Sequence, residues 1–121
     1  MKVIIDLIED IRNRTANDTK FTLLAILLKE NPNSPEDLQV VGEKAISGFS
    51  IDKSKKNLLL HIQEQDDPIS TEPLLKDLNS LSNEAMMHEV KVSIYNQKKN
   101  FEVIGFGIAK EVQKYVIFLT T

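Results

Sequence analysis

Hydrophobic residues recur with helical spacing at two places in the chain. The first apolar stripe predicts an amphipathic helix over residues 2–14, which the polar residues 15–19 end. The second stripe follows Ser70 and Thr71, either of which is a suitable N-cap, and predicts a second helix. The two stripes consist of Ile4, Leu7, Ile8 and Ile11, and of Leu74, Leu75, Leu78 and Leu81.

The other apolar segments have the pattern of β-strands. Residues 87–95 alternate between apolar and polar positions, which is typical of a strand with one covered face. Residues 20–30 and 115–119 are apolar at both parities, which indicates strands covered on both faces; for residues 20–30 a helix is the alternative. The remaining predicted strands are residues 38–51, with a bulge or bend near Gly42 or Gly48, 58–63 and 101–108, separated by turns at 31–35, 52–57 and 96–100.

These elements follow the order helix, three strands, helix, three strands. The order predicts an α+β fold in which an antiparallel, twisted sheet of five or six strands carries both helices on one face. A chain of 121 residues is expected to form a single domain, residues 1–121. The order is similar to that of the small acidic secretion chaperones, which work as dimers, although those end in a further helix. The resemblance concerns topology alone and implies a dimer.

Composition and charge exclude several classes of protein. The chain contains no cysteine, which excludes disulfides, iron–sulfur clusters, cysteine-ligated zinc and cysteine nucleophiles. Its net charge of −3 gives no general attraction to nucleic acid or to anionic lipid. No apolar stretch approaches the roughly 20 residues of a membrane helix, and Asp6 interrupts the apolar run that a signal peptide needs. We therefore expect a cytoplasmic protein that binds neither nucleic acid nor membrane.

The candidate ligand-binding residues are His61, His88, Glu89 and Tyr95. A histidine near a carboxylate can act as a general base or a metal ligand. Strand neighbours point to opposite faces, however, so His88 and Glu89 do not naturally converge, and the two histidines lack the spacing of a metal motif. We interpret both histidines as structural or surface residues, and we predict no catalytic residue, no metal and no cofactor.

Two further motifs have an ordinary structural interpretation. Gly105 and Gly107 lie inside a strand pattern, which favours a bulge or room for a large neighbouring side chain over a phosphate loop. Lysines cluster in two predicted hairpin turns, where charge protects a sheet against edge-to-edge pairing. These lysines are Lys53, Lys55, Lys56, Lys98 and Lys99.

The number of apolar residues in the helices and in the two strands that are apolar on both faces favours a non-enzymatic protein-binding or assembly module, chaperone-like or adaptor-like, that forms a homodimer. Two short helices cover only one face of a sheet, so strands that are apolar on both faces need a second copy or another protein on the other face. The second hypothesis is a small-molecule-binding protein or enzyme whose pocket, in a curved sheet, is lined by His61, His88, Glu89 and Tyr95. A nucleic-acid module ranks last, because the chain has 6% aromatic residues and no Trp.

Overall fold

The computed structural model describes residues 1–120, apart from the side chain of Pro35. Within these residues it contains two α-helices and seven strands. Their bounds are α1 Ile4–Thr15, β1 Thr22–Asn31, β2 Ser34–Ala45, β3 Gly48–Asp52, β4 Asn57–Ile62, α2 Thr71–Asn79, β5 Glu89–Ile94, β6 Phe101–Ala109 and β7 Lys114–Thr120. Short 3₁₀ turns at Ala85–Met87 and Lys110–Val112 precede β5 and β7.

The strands form one mixed sheet in the order β2-β1-β7-β6-β5-β4-β3. β1 pairs in parallel with β7 and β4 pairs in parallel with β5, whereas the other neighbours are antiparallel. The α+β class is confirmed, but the prediction of an antiparallel sheet of five or six strands is wrong. Turn signals reveal hairpins, whereas parallel pairs arise from longer connections such as the crossover through α2 between β4 and β5.

Residues 38–51, predicted as one strand, belong to two strands. β2 ends at Ala45 and β3 begins at Gly48, because the chain turns inward at Ile46, which is fully buried. The Ile46 N–H donates to the Leu23 carbonyl, and the Ile46 carbonyl accepts from the Ile69 N–H. The irregularity predicted near Gly42 or Gly48 corresponds to this break before Gly48 and to a register shift of β2 beside Gly42.

The sheet is strongly curved, because β2 and β3 form its opposite edges although only Ile46 and Ser47 join them. In a flat sheet the edges of seven strands are about 29 Å apart, at about 4.8 Å per strand. The three Cα steps from Ala45 to Gly48 span at most about 11 Å. The sheet therefore curls until its edges approach each other at this point.

The concave face of the sheet holds the hydrophobic core and both helices. On β1 the core cluster includes Leu23, Ala25 and Leu27, whereas the residues between them lie outside it. Both helices bury their apolar stripes in the same cluster, as predicted; the fully or almost fully buried members are Ile4, Leu7, Ile8, Ile11, Leu74 and Leu78. At 12 and 9 residues, neither α1 nor α2 is long and apolar enough to cross a membrane, and no other helix within residues 1–120 is either.

Several local predictions can be compared directly with the structure. Residues 20–30 contain a strand, β1, so the helical alternative is wrong. The predicted loop at 31–35 is shorter than expected, a turn of Pro32 and Asn33 between β1 and β2. α1 begins at Ile4 rather than earlier, because Val3 forms a bridge with Glu89 of β5 and its N–H donates to the Asp6 carboxylate.

Candidate functional site

The convex face of the sheet, opposite the helices, divides into two halves of different chemistry. One half consists of β2, β1, β7 and the part of β6 that pairs with β7. Its outward side chains are mainly apolar, and we call them the apolar half: Leu24, Ile26, Leu28, Val40, Ile104, Val116 and Phe118. Strand register brings Leu24 beside Val116, and Ile26 beside Phe118. Val116 is buried although it lies outside the core cluster, so the outward side chains pack against one another.

Phe118 lies over the two glycines of β6. A Cβ atom at Gly107 would be 2.9 Å from Cε2 of Phe118, and one at Gly105 would be 3.8 Å from Cδ2. β6 also has a register shift between Val103 and Gly105. The interpretation of the glycines as a bulge with room for a large side chain is confirmed.

Part of the apolar half is open to solvent. Val40 is 59% exposed and Ile104 is 41% exposed. Leu38 and Val41 of β2, next to Val40, are also exposed. Single exposed apolar residues are normal on protein surfaces, but a contiguous apolar patch with a polar rim marks an interaction site.

The rim of the apolar half carries both signs of charge. Glu43 of β2 lies opposite Ile26. At the start of β7, the Lys114 Nζ donates to the Thr22 hydroxyl at 2.7 Å. A surface with acid at one side and base at another does not repel a copy of itself as a single-sign surface would.

The other half of the convex face belongs to β3, β4 and β5 and is mainly polar. We call its outward residues the polar half: Ser50, Asp52, Leu59, His61, Glu89, Lys91 and Ser93. The Ser50 hydroxyl and His61 Nε2 are 2.8 Å apart. Burial lowers the pKa of His61, so the neutral imidazole is favoured at neutral pH.

A serine beside a neutral histidine resembles the start of a nucleophile–base pair. Hydrolytic sites add a third group that orients the base, usually a carboxylate. Among residues 1–120 no carboxylate hydrogen-bonds to the His61 ring. Glu89, on the same half, instead pairs with Lys91, with 3.8 Å between Glu89 Oε1 and Lys91 Nζ. Ser50 and His61 therefore form a hydrogen-bonded pair on the polar half, without a carboxylate as third group among the described residues.

The four candidates from the sequence lie at separate places. His61 is central in the polar half, beside Ser93 of the parallel strand. Glu89 begins β5, about 13 Å along the strand from Ser93. Tyr95 follows β5 at its other end and lines a pocket of about 260 Å³, while His88 immediately precedes β5 and lines a separate cleft. The structure does not bring the four side chains around one pocket.

The cleft at His88 has a volume of about 450 Å³. It lies between the turn that joins β3 to β4 and the connection from α2 to β5. Lys53 and Lys56 come from the first segment, and Ser80 and Ser82 from the second. Sequence reasoning treated these lysines as turn residues only, because nothing in the linear sequence links residues 53–56 to residues 80–88.

A polar contact also links α1 to the sheet behind the apolar half. The Tyr115 hydroxyl of β7 donates to Asp10 Oδ2 at 2.6 Å, and Arg14 Nε donates to the same oxygen at 2.7 Å. Burial, with a further contribution from the hydrogen bond to Asp10, raises the pKa of Tyr115. Sequence patterns could not predict this contact, because Asp10 and Tyr115 are 105 residues apart.

Neither metal geometry nor likeness to known proteins assigns a site. Within the described part of the chain, no group of three or more His, Asp or Glu side chains is placed to hold a metal ion. No family model, curated protein or solved structure matches the chain. The two halves of the convex face and the cleft at His88 are therefore the surfaces from which function can be argued.

Proposed function

We propose that this protein is a non-enzymatic binding and assembly module of the cytoplasm, which forms a homodimer through the apolar half. The observation that carries the proposal is the contiguous apolar packing on the sheet face opposite α1 and α2, from buried Val116 to exposed Val40 and Ile104. Sheets that pack face to face interdigitate such side chains at a distance of about 10 Å. The same patch used twice gives a closed twofold contact.

The size of the patch sets the expected affinity. Four strands are about 19 Å wide, and eight residues of a strand are about 26 Å long, which gives roughly 500 Å² for each copy. Two copies then bury on the order of 1,000 Å², near the lower limit for specific interfaces. We expect a dissociation constant of about 1–100 μM, which corresponds to about 5–8 kcal/mol.

A second copy of the chain fits the patch better than an unrelated partner whose surface carries charge of a single sign. The rim contains Glu43 on β2 and Lys114 on β7, so a twofold contact faces mixed charge with mixed charge. In this proposal the dimer is the unit that binds a further protein partner, in the manner of a chaperone or adaptor.

The alternative function, a small-molecule pocket or active site inside the curved sheet, has less support. The concave side of the sheet is filled by the core cluster and by both helices. A pocket lined jointly by His61, His88, Glu89 and Tyr95 needs these residues to converge, whereas they lie at separate places. The cleft at His88 is a different site.

Sedimentation velocity over a dilution series tests the dimer. We expect the wild type to change from the mass of one chain to twice that mass between about 1 μM and 1 mM. The double variant Val40→Lys/Ile104→Lys adds charge at two exposed positions of the patch and should weaken association at least about tenfold, since buried unpaired charge is costly.

The matched control is Tyr95→Lys/Val112→Lys, which adds the same two charges at exposed residues outside the patch, one directly after β5 and one in the Lys110–Val112 turn. It should associate like the wild type. Circular dichroism checks that all variants remain folded. A wild type that stays monomeric at about 1 mM, or a Val40→Lys/Ile104→Lys variant that associates as well as the wild type, contradicts the proposal.

A further inference from the structure

We propose that the cleft at His88 binds a small organic anion, one in which a single phosphate or carboxylate group is attached to an apolar body. The cleft lies away from the apolar half, so this site is independent of the proposed dimer. Its volume of about 450 Å³ is within the range of small-molecule sites, about 300–1,000 Å³. The argument depends on what each wall offers to a ligand.

The first wall is the turn between β3 and β4, and it presents positive charge from a fixed backbone. Asp52 Oδ1 accepts from the Ser54 N–H, from the Ser54 hydroxyl and from the Lys55 N–H. These bonds lower the pKa of Asp52 and fix the turn. Lys53 and Lys56 line the cleft from this turn.

Both cleft lysines lack a polar partner among the described residues. Within residues 1–120 neither Lys53 nor Lys56 takes part in an ion pair or a side-chain hydrogen bond, although Glu84 lines the same cleft. Two lysines that line one cleft favour the binding of an anionic group there. Glu84 opposes the binding of a polyanion, so the ligand is expected to carry a single anionic group.

The second wall adds neutral hydrogen-bond donors. The Ser82 hydroxyl oxygen accepts from the Ala85 N–H at 3.2 Å, which leaves its own proton free to donate. His88 Nδ1 is buried and has no hydrogen-bond partner within the described residues. An unpaired buried acceptor is better tolerated than an unpaired buried N–H, so the ring proton is assigned to Nε2. Because His88 lines the cleft, the proposal places this Nε2 donor toward the ligand.

The floor of the cleft is apolar and defines the rest of the ligand. Ile51, Leu81 and Ala85 line it, and the first two also pack against the core. A bare inorganic ion leaves this surface in water, whereas an apolar group attached to the anion covers it. The site therefore favours an amphipathic anion over inorganic phosphate.

The test uses NMR chemical-shift mapping on the full chain, with phenyl phosphate, benzoate and inorganic phosphate as probes. We expect saturable shifts that are confined to residues 51–56 and 80–88. Phenyl phosphate should bind at least about tenfold more tightly than inorganic phosphate. Whichever of phenyl phosphate and benzoate binds more tightly shows whether the site prefers a phosphate or a carboxylate group. Benzyl alcohol, which lacks the charge, should bind at least about tenfold more weakly than either aromatic anion.

Variants then identify the groups that bind. Lys53→Gln/Lys56→Gln should weaken the binding of the preferred anion at least about tenfold. Lys98→Gln/Lys110→Gln removes the same charge at exposed positions elsewhere and should leave the affinity unchanged. His88→Gln, which keeps a donor near Nε2, should bind within about threefold of the wild type, and His88→Ala should bind about tenfold more weakly.

The mapping on the wild type keeps the proposal falsifiable if a variant fails to fold. The absence of shifts at the cleft with about 10 mM phenyl phosphate and about 10 mM benzoate overturns the proposal, since such concentrations reveal affinities weaker than 1 mM. Shifts that spread over all exposed lysines, or an equal effect of the two double lysine variants, overturn it as well.

Discussion

The two halves of the convex face differ although they belong to the same sheet. Behind both halves the inward side chains are fully buried: Leu60 and Val92 behind the polar half, Leu23 and Ile117 behind the apolar half. On the outside, the polar half has the Ser50–His61 hydrogen bond and the Glu89–Lys91 pair, whereas the apolar half has Phe118 among aliphatic side chains.

The proposed dimer depends on this difference. A sheet with one buried face and one face in water shows apolar and polar residues in alternation, as β5 does. β1 and β7 depart from that pattern although the inward face alone completes the core. Their additional apolar residues lie outside the core cluster, and the proposed dimer uses them as its contact surface.

The largest effect should come from cavities in the shared inner face. Ile117→Ala behind the apolar half and Leu60→Ala behind the polar half should each lower the free energy of unfolding by about 2–5 kcal/mol, because both residues are fully buried. Urea unfolding at a concentration where the protein is monomeric measures both. A loss below about 1 kcal/mol at either position would contradict a single continuous core behind the two halves.

The polar link behind the apolar half should have the next largest effect. Tyr115→Phe removes the donor to Asp10 and should cost about 1–2 kcal/mol. The pKa of Tyr115 is raised above its ordinary value of 10.0, so the folded state retains the proton more firmly than the unfolded state. The stability from this group is therefore fully present below about pH 10 and is lost as the pH rises beyond it. The free energy of unfolding, measured between pH 8 and 11, should fall more steeply with pH for the wild type than for the variant.

The same substitution at one glycine in each half compares how the two halves are packed. Gly107→Ala places a methyl group 2.9 Å from the Phe118 ring and should cost about 1 kcal/mol, a modest value because the ring end can shift. At Gly48 a Cβ atom has no neighbour within 4 Å, so Gly48→Ala should be neutral or stabilising by up to about 1 kcal/mol. Thermal melts of both variants measure the difference, and equal destabilisation would show that Phe118 does not restrict Gly107.

The smallest effect is expected in the polar half. Burial lowers the pKa of His61, so the folded state favours the neutral ring, and stability is lost as the pH falls below the ordinary value of 6.5. Because the ring is partly exposed, the contribution should be at most about 0.5 kcal/mol. His61→Gln should flatten the change in melting temperature between pH 7 and 5. If the melting temperature of the variant instead fell more steeply than that of the wild type over this range, charging His61 would stabilise the fold.

Local sequence patterns predicted the elements better than their arrangement. The apolar positions at both parities correctly predicted strands at β1 and β7, and helical spacing correctly predicted the stripes of α1 and α2. The parallel pairs were missed because pairing between distant segments leaves no local signal. The break between β2 and β3 was predicted only as a bulge or bend within one strand, because the inward turn at Ile46 depends on hydrogen bonds with the Leu23 and Ile69 backbone. The cleft at His88 was missed for the same reason.

The parallel pairing of β1 with β7 also affects how quickly the chain reaches its native state. Thr22 and Lys114 are 92 residues apart, so this part of the sheet forms only after a long segment has closed, at an entropic cost that grows with the logarithm of its length. Chains dominated by such distant contacts fold in about milliseconds to seconds, more slowly than helical proteins. Until the closure occurs, the apolar residues of both strands are exposed on both faces, and refolding should lose yield as the protein concentration rises.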